Sequence, residues 1–262
     1  AVRLDGRIIA DLAIWETDEA AFNQLTPVLK PQMIIFLNIF RDQLDRYGEV
    51  DSTVYKWQET LQKLPKNTTI LLNGDDQNLL KLKSLTQENV FTFGVENYKI
   101  KGEETYKTIG WEKLDSEAKN VTLLGLSGVN FELEKDEEKT SFSLPLPGIY
   151  NIYNFLAAYI AAQKLGISLE AITKSLQDYA PIFGRAEKLS FGYINLIKNP
   201  AGATQVFETI KGELKEGDRL LFALNDNLAD GTDVSWIWDI HFEGLAGHMS
   251  SDRGTNVHTI AS

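Results

Sequence analysis

Short apolar runs alternate with amphipathic stretches along the first half of the chain. Leu12–Trp15, Met33–Asn38 and Thr68–Asn73 read as strands, Leu12–Trp15 as a short buried one. Between the last two, Val54, Trp57, Leu61 and Leu64 recur at helical spacing. Leu79, Leu80 and Leu82 begin another helix before a strand at Val90–Phe93. Apolar strands alternating with helices predict a mostly parallel sheet with helices on both faces. Tyr98 to Asn120 is polar and aperiodic and reads as an irregular insertion with one hairpin. Val121–Leu124 and Val129–Leu133 then flank a Gly125–Gly128 turn, and Ser141–Leu146 alternates in the same way. That adds a small antiparallel part with one wet face. The clearest helix is Ile149–Leu165, Ala-rich and closed by Gly166. Ser168–Leu176, with capping-box logic at its start, predicts a second. Residues 178–186 break the pattern. The domains are therefore expected over 1–180 and 181–262, the second opening as an α/β unit: strand Ile194–Ile197, helix Ala203–Leu214, strand Arg219–Asn225.

Composition narrows the function classes. At about 150 residues per domain, 262 residues make one large domain or two modest ones. The formal charge of −11 argues against a general nucleic-acid binder, which needs a basic footprint. Cysteine is absent, which removes disulfides, thiolate zinc sites and a cysteine nucleophile. All three histidines, His241, His248 and His258, lie close to the C-terminal end, so a His-rich metal site elsewhere is excluded. No apolar run approaches the roughly 18 residues of a membrane span. The start does not read as a signal peptide, and it lacks an initiator Met.

Several constellations combine residue types suited to chemistry. Ligands bind at the carboxyl ends of strands in open α/β sheets, which singles out Asn38 and Asn73. Glu16-Thr17-Asp18-Glu19 follows a predicted strand. Carboxylates there suit a magnesium ion on a nucleotide phosphate, although a solvated acidic turn has the same composition. Asn38–Gly48 mixes both charge signs with aromatics, as an exposed helix with internal ion pairs also does. Asn73-Gly74-Asp75-Asp76 is a turn by composition. Asn151 and Asn154, three apart at a helix start, share one face and suit a purine edge or a phosphate. Arg185 in Phe183–Glu187 suits bidentate phosphate contact, and Lys198–Gly202 lies between a strand and a helix, where anions bind. Asn225–Asp239 packs four Asp with two Trp, denser than a plain loop. The chain has no Gly-x-x-x-x-Gly-Lys-Ser/Thr loop and no Gly-x-Ser-x-Gly elbow.

Together these segments resemble the Mur ligase family from about residue 10 onward. Within it they are similar to the branch that serves as the synthetase subunit of lipid II isoglutaminyl synthases. The strings Arg-Asp-Gln-Leu-Asp-Arg-Tyr-Gly at 41–48 and Asp-Gly-Thr-Asp-Val-Ser-Trp-Ile-Trp-Asp at 230–239 are the most specific. The resemblance implies a Mur-type central ATPase domain followed by a partial Rossmann-like C-terminal domain. It implies ATP and magnesium as cofactors, lipid II as substrate and a GatD-type glutaminase as partner. The reaction implied is amidation of the α-carboxyl of D-glutamate in the stem peptide through an acyl phosphate. The place of work implied is the bacterial cytoplasm, at the inner face of the membrane. Phosphorylation gives a poor electrophile a leaving group, and catalysis is then positioning and charge neutralisation.

Residue by residue, Glu16 matches the magnesium-binding carboxylate, and Asn38 and Asp42 match the loop beside it. Gln43 stands where many relatives carry a metal-binding His. Asn154 matches the adenine-contacting Asn, with Asn151 its neighbour. Arg185 matches the phosphate-touching linker Arg, and Asn199 a ribose-binding position. Asp230 or Asp233, with Asp233 preferred, matches an Asp that completes the glutaminase Cys-His pair. The family's P-loop segment is expected before Ala1 and its last strands after Ser262. The chain is therefore expected to be cut at both ends and inactive in ATP hydrolysis by itself. Relatives often carry a four-cysteine zinc ribbon in the middle domain; without cysteine in Tyr98–Asn120, no zinc is expected. Two other readings stand beside this one. The first is a stand-alone Mur or folylpolyglutamate-type ligase, opposed by Gln43 and the Asn225–Asp239 string. The second is a non-catalytic remnant that only binds a partner.

Overall fold

A computed structural model describes Asp5 and residues 10–39, 49–82, 89–97, 113–135, 138–177, 179, 184–197, 199–215, 218–223, 235–240 and 242. Asp18 opens helix α1 (Glu19–Leu29), its carboxylate accepting from the Ala21 amide at 2.7 Å. Then come β1 (Met33–Phe36), α2 (Glu49–Leu61), β2 (Thr69–Asn73), the single-turn α3 (Gln77–Leu80) and β3 (Val90–Val95). β4 (Ser116–Leu123), β5 (Val129–Lys135) and β6 (Glu138–Leu144) follow, then α4 (Tyr150–Lys164) and α5 (Leu169–Gln177). One six-stranded sheet runs in the order β1-β2-β3-β4-β5-β6. Its first four strands are parallel and its last two pairings antiparallel.

The period-2 pattern assigns the two faces. Ile70 and Leu72 of β2 join Ile34, Phe36, Phe22, Trp57 and Leu79 under α1, α2 and α3. Leu71, between them, joins Phe93, Val95, Phe131, Phe142 and the α4 residues Ile152, Phe155 and Leu156 on the opposite face. Helices thus cover both sides, as expected of parallel strands. α4 ends as its sequence predicts: Gly166 has φ +78°, and the Gly166 and Ile167 amides donate to the Gln163 and Ala162 carbonyls.

Beyond α5 lies a separate antiparallel pair, β7 (Arg185–Leu189) and β8 (Gly192–Asn195), then α6 (Pro200–Ile210) and a 3-10 turn at Ser235–Asp239. Ala203, Phe207, Ile210, Trp236 and Ile240 form a third cluster. It takes in Leu126 from the turn between β4 and β5 and so ties α6 to the main sheet.

Three expected elements differ. Leu12–Trp15 is not a buried strand: Ile14 is 89% and Trp15 65% exposed, and the run joins no ladder among the described residues. An apolar run buries its backbone only where a neighbouring strand satisfies it. Ser116–Asn120, expected inside an irregular insertion, belongs to β4. Its only buried position is Ala118, too small to mark a strand in the sequence; β3 and β5 supply the ladder on either side. Arg219–Ala223 forms no strand, and Leu221 is exposed, because the β7–β8 pair offers it no partner among the described residues.

Candidate active site at the strand ends

Because β1, β2 and β3 are parallel, their carboxyl ends share one edge of the sheet. The turn Asn73-Gly74-Asp75-Asp76 leaves β2 there and joins the neighbouring elements. Asn73, Asp75 and Asp76 are 4%, 3% and 1% exposed. Buried polar groups are tolerable only when bonded, and these are. The Asn73 side-chain amide donates to the Leu37 carbonyl at 2.9 Å, and its Oδ1 accepts from the Asp75 amide at 3.0 Å. Asp76 Oδ2 accepts from the Ile39 amide at 2.7 Å, while its Oδ1 caps α3 through the Asn78 and Leu79 amides. Asp75 Oδ2 accepts from the Val95 amide at 2.7 Å and from the Tyr153 hydroxyl at 2.8 Å. The first turn of α4 is thereby fixed at the same edge as the β1 exit.

Gly94 makes room for this hub. A Cβ there would sit 2.5 Å from Asp75 Oδ2 and 2.6 Å from a Leu114 methyl. Gly94→Ala is expected to cost about 1–3 kcal/mol through overpacking. A lower urea midpoint at unchanged slope would show it; an unchanged midpoint would count against so tight a fit.

The expected site residues divide. Asn38 is exposed two residues beyond the end of β1, and Asn154 is exposed on α4, so the hub brings their elements to one edge. Asn151 differs from the expectation that it shares Asn154's face. It is buried, and its amide donates to the Pro147 carbonyl at 2.8 Å, holding the turn before the helix. Glu16 is exposed in the irregular stretch before α1. Asn199 caps α6, its Oδ1 accepting from the Gly202 amide at 2.8 Å. Arg185 opens β7 with its main chain, and its side chain lies outside the described residues, as do Asp42, Gln43, Asp230 and Asp233. Tyr153 was not singled out by sequence. Its partner is 78 positions away, and nothing local marks a helical tyrosine as an anchor for a buried carboxylate.

Among the described residues no three His, Asp or Glu side chains gather into a metal site. Magnesium carried on nucleotide phosphates needs only one or two protein carboxylates, a demand that an exposed Glu16 can meet. Asn154 offers both a donor and an acceptor, as a purine edge requires. No helix among the described residues is long and apolar enough to cross a membrane.

Comparison with known proteins agrees with this architecture. The Mur ligase middle domain matches residues 9–162, more than half of the chain, and the MurT ligase C-terminal domain matches residues 196–258. The chain belongs to the Mur ligase family. Its more particular similarity is to MurT. It is 31% identical over 267 residues to lipid II isoglutaminyl synthase (glutamine-hydrolyzing) subunit MurT of Streptococcus pneumoniae, covering 90% of this chain and 59% of that one. The Staphylococcus aureus subunit MurT is 29% identical, with the same shares. The chain thus spans less than two thirds of the curated relatives it matches. In fold it resembles a pseudomurein peptide ligase type C from Methanothermus fervidus, with a TM-score of 0.62 at 20% identity over 92% of this chain and 54% of that one.

Proposed function

We propose that this chain is the ATP-using subunit of a glutamine-dependent amidating ligase of peptidoglycan synthesis. Its substrate is lipid II. It converts the α-carboxyl of D-glutamate in the stem peptide to an amide through an acyl phosphate, with ammonia from a GatD-type glutaminase. The observation that carries this is the MurT ligase C-terminal match standing behind the Mur ligase middle-domain match. The UDP-N-acetylmuramoyl-L-alanyl-D-glutamate–2,6-diaminopimelate ligase of Halalkalibacterium halodurans matches 70% of the chain, against 90% for the Streptococcus pneumoniae subunit MurT. In this reading residues 1–180 are the ATPase domain and 181–262 belong to the partner-facing domain. The subunit works in the cytoplasm, at the inner membrane face where lipid II is presented.

The roles are those the family resemblance implies for these positions. Bound ATP with magnesium supplies the phosphoryl group that turns the carboxylate into an electrophile. Glu16 would hold the metal, and Asn38 and Asp42 match the family's neighbouring loop positions. Asn154 contacts adenine, and Asn151 spends its amide inward to set the helix start that aims Asn154. Arg185 meets phosphate and Asn199 lies near the ribose, already ordered by its cap. Asp233, or Asp230, serves the glutaminase across the subunit boundary.

Asn154→Ala is expected to raise the ATP concentration for half-maximal amidation about tenfold, the worth of one lost hydrogen bond, with kcat little changed. An unchanged ATP requirement would remove Asn154 from the nucleotide site.

A further inference from the structure

We infer that Asn73 and Asp76 are positioning residues for Asn38, a role that rests on the functional reading above for what Asn38 does and adds how it is aimed. Asn38 sits between two peptide planes. The plane before it carries the Leu37 carbonyl, which accepts from the Asn73 side chain at 2.9 Å. The plane after it carries the Ile39 amide, which donates to Asp76 Oδ2 at 2.7 Å. Peptide planes are rigid, so fixing both fixes the direction in which the Asn38 side chain leaves the backbone. The Asn38 side chain is itself exposed, whereas both holders are buried.

The sheet does not need these bonds for its own ladder. β1 pairs with β2 through backbone groups as far as Phe36 and Leu72, before the segment that is held. Beyond that point two side chains from the β2 turn take over. The Ile39 side chain is buried as well, which anchors the same segment from the apolar side. Burying an amide and a carboxylate is costly unless each is bonded, and here both are bonded to the backbone that flanks one exposed polar residue. This is the arrangement by which outer residues orient the groups that touch a ligand.

Two isosteric substitutions separate positioning from mere support. In Asp76→Asn the remaining oxygen is claimed by the α3 cap, which has two donors, Asn78 at 2.8 Å and Leu79 at 3.3 Å. The new NH2 then faces the Ile39 amide, donor to donor. In Asn73→Asp one oxygen still accepts from the Asp75 amide, and the other faces the Leu37 carbonyl, acceptor to acceptor. Each change turns one hold into a repulsion without altering volume.

The test uses the full chain with its glutaminase, lipid II, ATP and magnesium, and takes Asn38→Ala as the reference. Asp76→Asn and Asn73→Asp are each expected to lower kcat/KM about 10–100-fold and to raise the magnesium needed for half-maximal rate. Placed on Asn38→Ala, they are expected to add little, because all act through one side chain. Hydrogen exchange gives a readout apart from activity. The Ile39 amide exchanges faster in Asp76→Asn, and the Ile70 and Leu72 amides of β2 stay protected. Asn38→Ala impaired while both substitutions keep wild-type kinetics would overturn the inference, as would losses that multiply on the Asn38→Ala background. A silent Asn38→Ala would instead strike the functional reading of Asn38 and take the positioning role with it. Should the complex fail to amidate lipid II, unchanged Ile39 exchange in Asp76→Asn would still refute the hold.

Discussion

Asp75→Ala is expected to lower the stability of the folded chain by about 2–6 kcal/mol. The carboxylate accepts from the Val95 amide and the Tyr153 hydroxyl, both in the buried region between β3 and α4. Alanine leaves two buried donors without this acceptor, at about 1–3 kcal/mol each. Tyr153→Phe removes one donor together with its bond and is expected to cost about 1 kcal/mol. The asymmetry separates a satisfied hub from a tolerated polar turn, and urea midpoints of the two variants measure it. Equal, small losses would mean that the Asp75 bonds contribute little.

The second large effect concerns the Asn225–Asp239 segment. In the functional reading Asp233 orients a histidine of the partner glutaminase. An amide in place of a triad carboxylate leaves the geometry and reverses the tautomer, at a loss of about 10⁴-fold in kcat. Asp233→Asn is therefore expected to abolish glutamine hydrolysis by the complex while still giving a one-to-one complex in native mass spectrometry. Asp230→Asn is expected to keep most of the hydrolysis. The reverse pattern would move the role to Asp230, and full activity in both variants would remove this segment from the glutaminase site.

Much of the fold was legible because its signals are local. Apolar runs placed the strands at Met33–Phe36, Thr69–Asn73 and Val90–Phe93, and Gly166 and Ser168 marked the boundary between α4 and α5. The failures share one cause, dependence on a distant strand. Leu12–Trp15 and Arg219–Ala223 are apolar enough for strands and join no ladder among the described residues, whereas Ser116–Asn120 is polar and has neighbours on both sides. At the site, sequence marked Asn73–Asp76 only as a turn. Turn composition gives no hint that its side chains reach Leu37, Ile39, Val95 and Tyr153. For the same reason spacing put Asn151 beside Asn154, while the turn at Pro147 draws the Asn151 amide inward.

The most direct measurement combines this protein with a GatD-type glutaminase, lipid II, ATP, magnesium and glutamine, and reads the stem peptide by mass spectrometry. The expected product carries NH2 in place of one carboxyl OH on D-glutamate, dependent on both ATP and the glutaminase, with the amide nitrogen drawn from labelled glutamine. Addition of a free amino acid to the stem peptide without any glutaminase would contradict it and place the chain among the stand-alone ligases.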